Sequence, residues 1–153
     1  MRLTSFTNYA LRVLMYASIK GDTLSSVHEI AESYGISRAH LVKCVHLLGR
    51  WGYLESFRGR NGGFRLALAP DQITVGEIVR HTEETLDLVE CFNPDTNNCP
   101  LIDICKLKRA FQKGLAAFLE VLDSVSVADL VADKHGLSST LGIETHKAVS
   151  KQH

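Results

Sequence analysis

Apolar residues recur at helical spacing along the first fifty positions. This spacing predicts a first helix over residues 6–19. The segment from Ser26 to Glu29 has the pattern of a capping box, so a second helix is expected to begin there and to end at the pair Tyr34–Gly35. Ser37 is expected to cap a third, amphipathic helix over 38–50. Two helices joined by a short turn that contains glycine form a helix-turn-helix.

The third helix is predicted to have one apolar and one polar face. The residues expected to face inward are Leu41, Val42, Val45 and Leu48. The candidate DNA contacts at its start are Ser37, Arg38, His40 and Lys43.

Two short alternating strands are predicted next, at 53–57 and 64–68. Arginine in the turn between them suits the negative potential of a narrow minor groove, and glycine permits close approach to a phosphate backbone. The turn residues are Arg58, Gly59, Arg60, Asn61, Gly62 and Gly63. A solvated hairpin is the alternative, since such turns are widespread. Their position directly after a helix-turn-helix favours a DNA-binding wing.

The second half of the chain begins with a helix capped by Thr74 and continues into an acidic segment over 81–90. An apolar stripe near heptad spacing then predicts a long helix over 102–122. Such a helix needs a partner surface, either its own winged domain or a twofold-related copy. A homodimer is favoured because symmetric dimers are common and suit palindromic DNA. Ser126 is expected to cap a last short helix.

The predicted fold class is mainly α with a small β-wing: a winged helix-turn-helix domain plus a long dimerisation helix. The predicted parts are a DNA-binding domain over 1–80, a cysteine loop over 81–105, the dimerisation helix with a short C-terminal helix over 106–133, and a flexible tail over 134–153.

Composition adds two expectations. No apolar run approaches the ~20 residues of a membrane span, and the N-terminus lacks the pattern of a signal peptide, so a cytoplasmic protein without membrane contact is expected. The chain is neutral overall, yet residues 1–66 carry nine Lys or Arg against four acids, a net charge of +5 that the remainder balances. This asymmetry suits a polyanion-binding first half.

Three of the four cysteines, Cys91, Cys99 and Cys105, fall within fifteen residues. Cytosolic thiols are kept reduced, so clustered cysteines indicate metal binding or redox chemistry. Thiolates are the standard ligands of iron-sulfur clusters, which usually take four. Three thiolates would leave one iron accessible to a small diatomic molecule or an oxidant. Cys44 lies in an apolar helical stretch and is predicted to be a buried thiol.

Together these segments resemble the Rrf-two family of winged-helix regulators. The resemblance covers nearly the whole chain and is carried by the Cys-x7-Cys-x5-Cys spacing and by the segments MRLTSFTNYALR, SRAHLVK, RGRNGGFRLA, TEETLDLVECF and LKRAFQKGLAAFLEVLDSVSVADLV. It implies a homodimeric transcription factor, usually a repressor, that binds pseudo-palindromic double-stranded DNA. It also implies that the three cysteines hold an iron-sulfur cluster near the dimer interface, a [4Fe-4S] cluster first and a [2Fe-2S] cluster as the alternative.

The resemblance leaves the fourth ligand open. Some members use an acidic residue near the start of the first helix, donated by the other subunit, but Asn8 stands at the matching position and a neutral amide is a poor iron ligand. The histidine that other members use is replaced by Lys108. The remaining candidates are Glu83, Glu90, His81, a water molecule or a small thiol.

The chain is most similar to the NsrR-like branch, which responds to nitric oxide, and it shares features with the iron-responsive RirA-like branch. The resemblance to the IscR-like branch, which responds to cluster demand, is weaker. A zinc-stabilised DNA-binding protein is an alternative of another class, although zinc prefers four ligands with C-x2-4-C pairs. An electron-transfer iron-sulfur protein and a thiol redox switch are further alternatives. No nucleotide loop or substrate motif suggests an enzyme.

Overall fold

The computed structural model describes residues 2–144, which form seven helices and one two-stranded sheet. The winged half contains α1 (Ser5–Lys20), α2 (Val27–Tyr34), α3 (Arg38–Arg50), β1 (Leu54–Phe57), β2 (Gly63–Leu66) and α4 (Val75–Thr82). The remainder contains α5 (Lys106–Asp123), α6 (Val127–Leu130) and α7 (Lys134–Leu141). Short 3-10 turns lie at Pro70–Gln72 and Glu90–Phe92. The structure confirms the mainly helical class with a small wing.

Helix α1 lies at the centre of the core. Ala10, Val13, Leu14 and Ala17 have no exposed surface. These side chains face several elements at once, because α1 packs against α3, α4, β2, α6 and α7. The second, third and fourth helices begin at the predicted caps, since Ser26, Ser37 and Thr74 each accept a hydrogen bond from a backbone N–H of the first turn. The core therefore forms around the first helix of the chain.

The wing is joined to the core by more than its own hairpin. Strands β1 and β2 pair antiparallel, from Leu54 opposite Leu66 to Phe57 opposite Gly63. Ser25 exchanges two backbone hydrogen bonds with Phe64, at 2.8 and 2.9 Å. A side chain at Gly63 would place its Cβ 2.5 Å from the carbonyl oxygen of Ser25, so glycine is required for this close approach.

The C-terminal end of helix α5 packs against α4, but α5 buries little of its own surface. Arg80 on α4 makes two hydrogen bonds with the Asp123 carboxylate, at 2.5 and 2.7 Å, and Gly76 leaves room for Asp123. None of the eighteen residues of α5 is fully buried. The predicted apolar stripe consists of Leu107, Phe111, Leu115, Phe118 and Leu122. Leu107 is 63% and Phe111 37% exposed, and the other three are half-buried, so the single chain leaves part of the stripe in contact with solvent.

The structure corrects three predictions. The long helix begins at Lys106 rather than near 102, because residues 101–104 form turns and Cys105 is its N-cap. The strands are shorter than expected. Val42 faces solvent instead of the core, at 57% exposed, because its position on α3 falls on the same side as Arg38 and not on that of Leu41.

The predicted flexible tail is also wrong for its first part. Residues Lys134–Leu141 form α7, which is capped by Asp133 through a 2.9 Å hydrogen bond from the Gly136 N–H. The helix packs against the core through Leu137 and Leu141. Only a few apolar positions make these contacts, so the sequence periodicity was weak. The rest of the predicted tail, 145–153, lies outside the described residues.

Among residues 2–144, none of the helices is both long and apolar enough to cross a membrane.

Candidate DNA-binding surface and cysteine loop

The start of α3 presents a basic side chain that is held by a neighbouring helix. Ser37 accepts a hydrogen bond from the His40 N–H at 3.5 Å and so caps the helix. Arg38 donates to Nδ1 of His28 on α2 at 2.5 Å, and Nε2 of the same ring lies 3.4 Å from a carboxylate oxygen of Glu32. The guanidinium of Arg38 is therefore positioned by α2 while remaining exposed.

Two further residues of α3 are supported by aromatic side chains of α1. The ring of His40 stacks on Tyr9 with 5.9 Å between centroids and 26° between planes. The Lys43 ammonium lies 5.7 Å from the centre of the Phe6 ring. Both side chains remain exposed, so α3 presents cationic and hydrogen-bonding groups to solvent on a rigid support.

The turn of the wing places its arginines at an exposed tip. Arg58, Arg60 and Asn61 are all exposed. Gly59 has a φ of +113°, in the region that favours glycine, and the Gly62 N–H donates to the Gly59 carbonyl at 3.0 Å. Residues 58–62 thus form a tight turn that carries two exposed guanidinium groups, whereas Gly63 belongs to strand β2 and pairs with Phe57.

The cysteine loop runs from Glu83 to Cys105 and is irregular apart from its one 3-10 turn. Cys91, Cys99 and Cys105 are half-buried and form no disulfide. The Cys105 sulfur accepts the Lys108 N–H at 3.3 Å and caps α5. Nowhere in residues 2–144 are three or more Cys, His, Asp or Glu side chains grouped so that they could hold a metal ion.

The fourth cysteine behaves differently. Cys44 on α3 has no exposed surface, which confirms the prediction of a buried thiol. Burial raises the pKa of this thiol to about 11, and nearby Lys43 offsets only part of that effect. A thiol of this kind stays protonated and is inert compared with an exposed thiolate.

Glu83 connects the beginning of the cysteine loop to the beginning of α1. Its carboxylate accepts hydrogen bonds from the Thr4 N–H at 2.8 Å, from the Thr4 hydroxyl at 3.0 Å and from the Thr7 hydroxyl. Thr7 also hydrogen-bonds to Thr82 at 2.7 Å. Burial alone would raise the pKa of Glu83, but the hydrogen bonds from Thr7 and Thr4 outweigh it and hold the pKa below its usual range.

This role of Glu83 could not be predicted from the sequence. The partners lie 76 and 79 positions away along the chain, so no local pattern could indicate the contact. Of the other candidates for a fourth ligand, Asn8 on α1 and Glu90 in the loop are exposed. The ring of His81 stacks on Trp51, with 5.0 Å between centroids.

The helix-turn-helix, the arginine-bearing wing and the appended long helix define a winged-helix, DNA-binding transcription regulator rather than an enzyme. Residues 3–133 match the family described as "Rrf2: Iron-dependent Transcriptional regulator". The chain belongs to the Rrf2 family, as its sequence resemblance implied.

Individual relatives agree with this assignment. The chain is 45% identical to "HTH-type transcriptional regulator NsrR" of Bacillus licheniformis, over 92% of this chain and 99% of that protein. It is 47% identical to the protein of the same description in Shouchella clausii, over 95% and 98%. A similar solved structure is CymR, "the Global Cysteine Regulator of B. subtilis", with 28% identity, a TM-score of 0.73 and coverage of 87% of this chain and 98% of CymR.

We expect Glu83→Ala to destabilise the protein by roughly 1–2 kcal/mol, because three donors at the start of α1 lose a charged acceptor. Glu84→Ala is the matched control, since Glu84 is the adjacent carboxylate and is exposed. Urea unfolding of cluster-free protein at neutral pH measures both changes. Equal stability of the two variants would contradict the role assigned to Glu83.

Proposed function

We propose that this protein is a dimeric repressor that senses nitric oxide through an iron-sulfur cluster held by Cys91, Cys99 and Cys105. The main support is the similarity to regulators named NsrR, at 41–47% identity over 92–95% of the chain. In the Rrf-two family the NsrR-like branch is the one that responds to nitric oxide. Three free cysteines in one loop provide three of the four donors that such a cofactor usually takes.

The donor chemistry fits a cluster, but the single chain does not gather the donors. Three thiols of the right type lie in a loop with little regular structure. Because no group of three donors is close enough to hold a metal among the described residues, the segment 83–105 has to rearrange to bring its sulfur atoms together. A bound cluster with three thiolate ligands would supply an iron accessible to a small diatomic molecule.

Glu83 links the cysteine loop, through α1, to the proposed DNA-contacting helix α3. Its carboxylate holds Thr4 and Thr7 at the start of α1, and α1 packs directly against α3. In addition, Phe6 and Tyr9 of α1 contact Lys43 and His40 of α3. A change in the loop that releases Glu83 would therefore alter the support of two candidate DNA contacts. This is a local change that biases DNA affinity.

On DNA, we propose that Arg38, His40 and Lys43 approach major-groove edges or phosphates, with Ser37 at the same helix end. The wing, from Arg58 to Gly63, would reach the minor groove. The α3 residues and Arg58 to Asn61 are exposed, whereas Gly62 and Gly63 are half-buried. Both sets lie in the half of the chain with a net charge of +5. Contacts to phosphate make such binding strongly dependent on salt.

Helix α5 supplies the proposed homodimer interface. An eighteen-residue helix with no buried residue and with Leu107, Phe111 and Val121 exposed is unfavourable in water unless another surface covers it. A twofold copy of the same helix covers both stripes at once. The dimer would also present two winged domains to a pseudo-palindromic site.

An iron-responsive repressor of iron-uptake genes is a second candidate function. It is favoured by the family description, which calls these proteins iron-dependent regulators. The same three cysteines would hold the cofactor, and its loss on iron shortage would be the signal. The cofactor is expected to be [4Fe-4S], with [2Fe-2S] as the alternative.

We expect nitric oxide to abolish visible absorbance and DNA binding together when it is titrated into anaerobically purified protein. DNA from a random pool enriched with the same protein serves as the probe. Serine substitution at Cys91, Cys99 or Cys105 should abolish the colour, whereas Cys44→Ala should keep it. A cofactor that resists nitric oxide but is lost to an iron chelator would favour the iron-responsive function, and colourless protein that contains zinc would contradict both.

We expect Arg60→Ala to weaken DNA binding about tenfold and to leave the visible spectrum unchanged, because a wing arginine contacts DNA and not the cofactor. Arg109→Ala on α5 is the control, since Arg109 is an exposed arginine outside the winged domain. Binding isotherms at several salt concentrations provide the measurement. The wing assignment would be wrong if both variants bound as the wild type does.

We expect Phe111→Glu to convert the dimer into monomers, because a carboxylate would replace an aromatic ring in the proposed interface. Lys113→Glu is the control and should remain dimeric, since Lys113 lies about 160° around the helix from Phe111. Sedimentation of the two variants at equal concentration decides the question. Circular dichroism verifies that both retain the helical fold, and dimers from both variants would exclude α5 as the interface.

A further inference from the structure

Val42 stands out on α3 because it is apolar and exposed. It is 57% exposed, whereas Leu41 and Cys44 on the same helix have no exposed surface. All residues of α3 are described, and Val42 is the large hydrophobic residue of that helix that faces solvent. Its exposure follows from the phase of the helix, since each residue advances by about 100°.

The side chains next to Val42 on the helix surface are either basic or small. Arg38 and His46 lie one turn before and one turn after it, and Ala39 lies three positions before it, so all three share its face of the helix. Lys43 follows directly, and each of these residues is exposed. The result is a small apolar patch, Ala39 and Val42, bordered by positively charged or titratable groups.

This arrangement favours DNA over an apolar protein surface as the partner. Charged residues are depleted at the centre of protein interfaces, while a cationic rim suits phosphate. In the major groove the apolar group on a base edge is the C5-methyl of thymine, and apolar side chains are suited to contact it. The backbone-contacting cations around Val42 would bring it to that edge.

We infer that Val42 contacts a thymine methyl group in the major groove and thereby selects an A·T pair at one position of each half-site. The inference rests on the proposed DNA binding through α3. It adds a specificity-determining residue that carries no charge and makes no hydrogen bond through its side chain. Arg38 and Lys43 would then contribute affinity around a position whose identity is fixed by an apolar contact.

The size of the expected effect follows from one methyl group. Removing the thymine methyl should weaken binding about fourfold. Val42→Ala removes both γ-methyl groups of the side chain and should weaken binding by at least as much. Uracil differs from thymine by that methyl and keeps the same hydrogen-bonding groups, so replacing thymine by uracil isolates the contact. Replacing thymine by uracil and Val42→Ala both remove the same contact, so their effects on affinity should not add.

The experiment uses full-length protein prepared anaerobically and a DNA duplex enriched with it from a random pool. Each thymine of the duplex is replaced by uracil in turn. Affinities are measured for wild type, Val42→Ala and Leu68→Ala, at one salt concentration. Leu68 is an exposed apolar residue outside α3 and serves as the control. Circular dichroism verifies that both variants are folded.

We expect one thymine in each half-site whose replacement weakens wild type and Leu68→Ala about fourfold but leaves Val42→Ala nearly unchanged. Equal effects of every uracil on wild type and Val42→Ala would overturn the inference while leaving the DNA-binding proposal intact. So would a Val42→Ala protein that binds the thymine duplex as tightly as wild type. Failure of the wild type to enrich any sequence would overturn DNA binding, and this contact with it.

Discussion

The apolar packing of α1 is the interaction on which the rest of the structure depends. Its buried face, which includes Val13 and Leu14, contacts α3, α4, β2, α6 and α7. Strand β2 of the wing, the proposed DNA-contacting helix α3 and the last helix are thus positioned against one surface. Close-packed interiors transmit displacements because they cannot deform continuously. A shift at either end of α1 would therefore displace α3. Such coupling between a distant site and the helix that contacts DNA is what the proposed regulation requires.

The two halves of the molecule differ in how far a single chain buries their apolar surface and brings their functional groups together. The winged half buries most of its apolar residues, and its helices are capped at their N-terminal ends by Thr4, Ser26, Ser37 and Thr74. The second half leaves α5 without a buried residue and leaves three thiols ungrouped. The proposed dimer would cover α5, and the proposed cofactor would group the thiols.

Sequence patterns predicted the parts of the fold that local chemistry determines. The caps and the 3.6-residue period gave α2 and α3 within a residue of their observed bounds. The error at Val42 was also local: it was assigned to the core because it is apolar, although the helical period places it about 100° from Leu41. Helix α7 was missed because only a few of its residues pack against the core. Patterns failed in a different way where long-range contacts decide. Glu83 is the clearest case at the site, since its partners Thr4 and Thr7 are close only in the folded chain. The role of the cysteines in metal binding stays a prediction.

Charge distribution explains why a neutral chain can still bind a polyanion. The first 66 residues carry +5, and the remainder carries the same charge with opposite sign. Exposed charges further apart than the Debye length of about 8 Å are largely screened at physiological salt. The DNA would therefore interact with the nearby cations of α3 and the wing, whereas more distant acids would contribute little. The acidic half would instead disfavour any docking that brought it against phosphate. A chain that is neutral overall can thus still present a surface, formed by α3 and the wing, that attracts DNA.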